Sequence, residues 1–400
     1  MRSDIEGPLR DFGRTLADAW ARVDHDEDQF AALARGTLSD ARLAERLDVA
    51  QVLAHALAPH ANPRGPHGAP GVLTLYSSVH FDVFAHVWHD DFAYAHDHEW
   101  CGAFVLVEGH ALHVQHRFER SERICDSLLL GELALDHATR MVAGDAIEIA
   151  AGPGFIHGVS HLDAHGLTVS VRSRSTRGRG LTYFRPGLGL ALDERDTELD
   201  QRMQALRLAA EFGPERLAAC LEQLASCCDR RTATFMLREL TQRGWALPER
   251  AEEQLHARFG AHAQRLFAAC EDVARIDHVT ELRARFQTPS ARALLAALFV
   301  GERREQVLEL HALARGDQHV DEDPWTAIGH ALVELLVVPS PGVAVPDVFV
   351  PAFAAIARGV PLSGLLELVQ PAALPEATLE FLASAHAAVH DASLYRPLFS

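Results

Sequence analysis

The spacing of apolar residues changes period twice along the 400-residue chain. From Leu9 to Val23 apolar side chains recur every three or four positions, which buries one face of a helix. Asp40 to Leu57 repeats the pattern, with Asp40 placed to cap its N-terminus. Between Val72 and about Phe184 the period falls to two. Val72–Tyr76, Phe81–Trp88, Ala103–Val107, Ala111–Phe118 and Leu167–Val171 read as strands, separated at short intervals by turn residues, as in a β-sandwich or barrel. Arg185-Pro186-Gly187-Leu188-Gly189 closes this part. Helical spacing then returns over 196–211, 214–227, 231–243, 248–274, 290–299, 303–315, 325–338 and 378–389, with Gly or Pro at the joints. Pro59–Gly68 and Pro339–Pro351 are proline-rich connectors. The pattern predicts an α+β chain in three parts: helices over 1–70 that pack on a barrel, a β-barrel over 71–190, and an all-α region over 191–400. The helical pairs follow no fixed repeat length.

Composition narrows the function. A chain of this length exceeds what one core holds, and 48% hydrophobic residues suit a soluble globular protein. The net charge of −18 opposes binding to nucleic acid, whose phosphates need clustered cations. Every basic residue is arginine, so a Schiff-base lysine and a P-loop lysine are both excluded. Six scattered cysteines, two of them adjacent at Cys227-Cys228, form neither a disulfide framework nor a zinc knuckle. Met1–Glu6 lacks the apolar stretch of a signal peptide, and the apolar region Ala331–Val360 is interrupted by Glu334, Asp347 and several prolines. A cytoplasmic protein with no membrane span is the expectation.

The candidate chemistry lies in His96-Asp97-His98. On an extended backbone alternate residues face the same side, so the two imidazoles can share one metal ion. An apolar strand ending at Gly109 follows, and Gly152-Pro153-Gly154-Phe155-Ile156-His157 supplies a third histidine. Three neutral imidazoles leave a divalent ion its full charge and several open positions, which suits a Lewis acid or an ion that meets O2 and an anionic substrate together. Fe(II) is the first choice; copper, nickel and zinc accept the same ligands. Ser170, Arg172 and Arg174 alternate along one strand and should share a face. An interior Arg172 needs an anion, which is either a substrate carboxylate or phosphate beside the metal or a structural Asp or Glu. His161 is either a proton donor beside the metal or a structural histidine. His110, His113 and His116 are spaced by three on a strand and so do not share a face. H-E-x-x-H, G-x-S-x-G and G-x-G-x-x-G are absent, which removes the metalloprotease, α/β-hydrolase and Rossmann motifs.

The order His96, His98, Gly109, Gly154, His157 resembles the two motifs of the cupin superfamily. Asp90, Gly102 and His161 depart from them at the leading glycine, the glutamate ligand and the final asparagine. Without that glutamate, residues from about Leu73 to Arg174 look like the cysteine-dioxygenase-like branch of the cupins. The resemblance implies a jelly-roll barrel with iron on His96, His98 and His157. It places Trp88 near a tryptophan of the family and Ser170 at the serine of its Ser-His-Tyr relay, while Arg172 and Arg174 stand where the relay histidine and tyrosine would be. The expected catalytic residues are therefore Arg172, His161 and Ser170, and the expected substrate contacts are Trp88, Tyr94 and Arg174. The expected function is a mononuclear non-haem oxygenase acting with O2 on a small anion. A non-oxidative metal-dependent isomerase or lyase is one alternative. The other is a ligand sensor whose helical region binds a second copy, a protein or a peptide.

Overall fold

The computed structural model describes residues 5–58, 71–89, 92–177, 179–192, 197–283, 286, 288–316, 323–337, 350–361, 376–391 and 393–399. The first connector with its His60 and His67, most of the second connector, and Asp90 lie outside these residues. The chain is mixed: helices, then a two-sheet β region, then helices. No described helix is long and apolar enough to cross a membrane.

Three helices come first, α1 (Glu6–Ala21), α2 (Glu27–Ala41) and α3 (Val49–Ala56). The second was not expected, and Asp40 sits near its C-terminal end instead of starting a helix. Asp26 caps α2 through the Asp28 amide. Asp48 caps α3 in a reciprocal box with Gln51. The periodic stretch from Asp40 to Leu57 is thus two helices joined by a turn, in which Arg42 adopts φ +50°. Leu9, Phe12, Leu16, Phe30, Ala34 and Leu38 point from α1 and α2 into a core shared with the β region.

Among the described residues eleven strands follow: β1 (Val72–Ser77), β2 (Phe81–His89), β3 (Phe92–His96), β4 (Gly102–Glu108), β5 (Ala111–Cys125), β6 (Leu128–Met141), β7 (Ala146–Ile149), β8 (Ile156–His161), β9 (His165–Ser173), β10 (Thr182–Phe184) and β11 (Leu188–Leu190). The first sheet runs β1-β2-β9-β4-β7, and the second closes on itself in the order β10-β11-β6-β5-β8-β3. Pairing of Thr182 with His96 closes that ring. The first sheet is built on strict alternation. Val83 and Ala85, Ala103, Val105 and Val107, and Leu167, Val169 and Val171 all face the N-terminal helices. Their alternate neighbours face the second sheet, and the candidate site lies between the two sheets.

The helices that follow are α4 (Thr197–Glu211), α5 (Pro214–Cys227), α6 (Arg230–Arg243), α7 (Glu249–Phe259), α8 (Ala261–Arg283), α9 (Pro289–Val300), α10 (Arg304–Arg315), α11 (Pro324–Val337), α12 (Val350–Ala357) and α13 (Glu376–Asp391). The long helix expected over 248–274 is α7 and α8, broken at Gly260 with φ +55°. Helix α12 begins where the second connector was expected to end. This helical part shares one apolar core with the outer face of the ring: Leu112, Val114, Leu128, Leu130, Phe184 and Leu188 pack with residues of α4 through α9. A polar clamp reinforces the contact. The Arg185 guanidinium donates to the carbonyls of Phe299, Val300 and Gly301 at 2.6, 3.0 and 3.2 Å, satisfying carbonyls that the end of α9 leaves open.

Candidate metal centre

Three backbone features bring the histidines together. His96 and His157 are direct cross-strand partners in the β3–β8 pair, which sets their β-carbons about 5 Å apart. The pairing slips between Ala93 and His96, and such a bulge re-aims the side chains that follow it. His98 lies past the end of β3, not on the strand, so the loop has to be held. Asp97 holds it: its carboxylate accepts from the Leu181 amide at 2.6 Å and from the Tyr183 hydroxyl at 2.8 Å. The Gly152 amide donates to the His98 carbonyl at 2.7 Å and ties the same loop to the segment leading into β8. Burial raises the Asp97 carboxyl above its usual range, and burial beside Asp97 raises the Tyr183 phenol.

One potential ligand atom from each of His96, His98 and His157 lies within 4.8 Å of the others. The rings are separated by 4.5 Å (His96–His98), 4.7 Å (His96–His157) and 5.1 Å (His98–His157). His98 Nε2 and His157 Nε2 are 2.9 Å apart. Two nitrogens held about 2.0–2.1 Å from one ion at a right angle would stand about that far from each other. The remaining nitrogens are also disposed for ligation. His96 Nδ1 donates to the Tyr94 carbonyl at 2.7 Å, and His157 Nδ1 is 3.1 Å from His113 Nε2. With Nδ1–H donating in both cases, Nε2 keeps its lone pair for the ion. Burial, followed by the neighbouring imidazoles, holds His98 and His157 well below the usual histidine range. Burial lowers His96 too, opposed by the Tyr94 carbonyl. Neutral imidazole is the form that binds metal.

A cavity of about 110 Å³ adjoins the three rings. Thr168, Ser170 and Arg172 line it from β9, His86 and Trp88 from β2, Phe104 from β4, and Val159 and His161 from β8. Arg172 Nη2 lies 2.7 Å from His86 Nε2, and its Nε donates to Ser170 Oγ at 3.3 Å. Its guanidinium carbon lies 4.7 Å from the centre of the Trp100 ring and 4.8 Å from that of Phe84. Burial pulls its pKa down to about 10, so it remains a cation at neutral pH. Among the described residues no carboxylate pairs with it. Asp82, its cross-strand partner, is engaged by Arg174 at 2.7 and 2.9 Å and by Ser77 at 2.6 Å. The structural pair weighed for Arg172 is therefore made by Arg174.

His161 stacks on Trp88 with ring centres 4.8 Å apart, and neither of its buried ring nitrogens has a hydrogen-bond partner. Trp88 itself donates to Thr168 Oγ1 at 2.9 Å. Two of the expected substrate contacts do not line the cavity. Tyr94 packs toward Phe184 and Phe299 and donates to Asp277 at 3.3 Å, and Arg174 is 41% exposed beside Asp82. His96, His98 and Trp100 also border an outer pocket of about 630 Å³ that includes Glu99, Arg179 and Leu192.

Gly102, where the motif would carry a glutamate, has no room for any side chain. A β-carbon there would stand 1.9 Å from the Val171 carbonyl oxygen. Reading the sequence missed His86, His113 and Trp100. For His86 the signal was present, since it alternates with Trp88 on a strand; for His113 only the fold shows the contact with His157. No protein-family model matches this chain, and no curated protein matches it.

Proposed function

We propose that the chain is a cupin-type enzyme of the three-histidine, cysteine-dioxygenase-like kind, in which His96, His98 and His157 hold one Fe(II) and O2 is used on a small anionic substrate. The observation that carries this reading is the adjacency of three neutral, converging imidazoles to a half-buried cation, Arg172, that has no structural counter-ion among the described residues. Stable folds seldom keep such a cation without a task, because burying it is costly. When bound, the ion would supply Lewis acidity and, as Fe(II), electrons for O2. The chain's own residues do the rest. Arg172 fixes the substrate anion, with Ser170 and His86 fixing Arg172. Trp88, Phe104, Ile149 and Val159 exclude water from the cavity. His161, which burial holds neutral with a pKa of about 3, offers bound substrate a hydrogen-bonding imidazole instead of the proton donor expected of it.

Metal analysis by mass spectrometry tests the reading. One iron per chain is expected, with loss of the ion in His157→Ala. Metal at substoichiometric levels in both proteins would reject it. Oxygen uptake with turnover separates the oxygenase from the non-oxidative alternative, since an isomerase or lyase would turn over equally well without air.

A further inference from the structure

We propose that the cavity selects a small carboxylate that carries no ammonium group and whose second polar group pairs with His161. The inference rests on the cavity being the substrate site, and it adds which anion the site takes.

Size comes first. Pockets for drug-sized ligands measure about 300–1,000 Å³, so about 110 Å³ admits a molecule of only a few heavy atoms. Charge comes second. Among the described residues Arg172 is the formally charged side chain of the lining, and none that lines it is acidic. The nearest carboxylate in register, Asp82, is taken up by Arg174 and Ser77. Glu99 borders the outer pocket and not this cavity. A zwitterionic amino acid that placed its carboxylate on Arg172 would leave its ammonium with only neutral acceptors, among them Thr168, Ser170 and His161, and beside the Arg172 cation, with no carboxylate to answer it. A hydroxyl or thiol in its place carries no charge. The third observation is His161, whose buried nitrogens have neither donor nor acceptor partner. A neutral imidazole offers one N–H and one lone pair, which complements a hydroxyl. A site with an unpaired polar group discriminates strongly in favour of the ligand that pairs it.

Lactate, alanine and propionate have nearly the same shape and differ at one substituent, so calorimetric titration of the purified chain with each compares ammonium, hydroxyl and hydrogen directly. Lactate should bind at least tenfold more tightly than alanine, with propionate between them. Arg172→Met should abolish lactate binding, and His161→Phe, which keeps the stack on Trp88, should reduce lactate to the affinity of propionate. Alanine within threefold of lactate, or no binding of lactate to the unaltered protein, would overturn the inference. The titrations are run on metal-free as well as iron-loaded protein. Selection in the metal-free chain upholds this inference even where iron stoichiometry or oxygen uptake rejects the enzymatic reading.

Discussion

Replacing Arg172 with methionine separates a residue kept for binding from one kept for folding. In the native state the guanidinium has a pKa of about 10 against an ordinary 12.5, because burial removes its water. At about 1.4 kcal/mol per unit this depression corresponds to about 3 kcal/mol by which the charged side chain opposes folding at pH 7. The cost is present at all pH values below the folded pKa. Against it stand two hydrogen bonds made by the charged group, to His86 at 2.7 Å and to Ser170 at a long 3.3 Å, together worth about 3 kcal/mol at the low end of the range. Removing the guanidinium leaves neither partner stranded, since His86 Nε2 and Ser170 Oγ are already 3.0 Å apart and can bond to each other. Methionine keeps most of the aliphatic contact with Phe84 and Trp100. Arg172→Met should therefore unfold at the same urea concentration as the parent or a slightly higher one, with a net change within about 1 kcal/mol. A loss greater than about 2 kcal/mol would refute the reasoning and make Arg172 a structural cation. Paired with loss of anion binding, unchanged stability marks a residue maintained for function at the expense of folding.

Three further outcomes follow from the same geometry. Gly102→Ala should destabilise the chain by at least about 3 kcal/mol in urea unfolding, the upper end of overpacking costs, because its β-carbon meets a strand carbonyl that cannot move alone; a neutral substitution would contradict the close approach of β4 and β9. His113→Leu should lower iron affinity about 10–100-fold in chelator competition without touching the ion, since it removes the acceptor that orients His157; unchanged affinity would deny His113 that part. Acid should weaken the fold through its buried neutral histidines. His116, paired with Ile156 at the edge of the cluster, and His311, in the helical part, are held neutral by burial with pKa values of about 4 and 3. The unfolded chain takes up these protons near pH 6.5 and the folded chain does not, so stability is complete above that pH and declines as the pH falls toward 4. The loss is about 2 kcal/mol per histidine at about pH 5. Equal urea midpoints at pH 7.5 and 5 would contradict it.

The sequence by itself determined the three-part order, the faces of the first sheet and which three histidines come together. Alternation is a local property, and it put Ser170, Arg172 and Arg174 on one face; Ser170 and Arg172 do line the cavity, while Arg174, past the end of β9, turns to Asp82. Helix starts were less legible. Asp26, Asp40 and Asp48 all precede apolar periodicity, and only the turn at Arg42 shows which of them act as caps. Strands β6, β8, β10 and β11 carry little signal of their own. β10 and β11 have three residues each, β8 mixes histidine, glycine and serine with its apolar residues, and β6 alternates irregularly, so their pairing is dictated by the ring they close. Tertiary structure alone decided the partners: that Arg174 rather than Arg172 holds Asp82, that Tyr94 turns to Asp277, and that His113 meets His157. The physical reason is range. Periodicity records which face a residue buries, whereas the group it meets there comes from a strand or helix tens of residues away, whose register the local sequence does not encode.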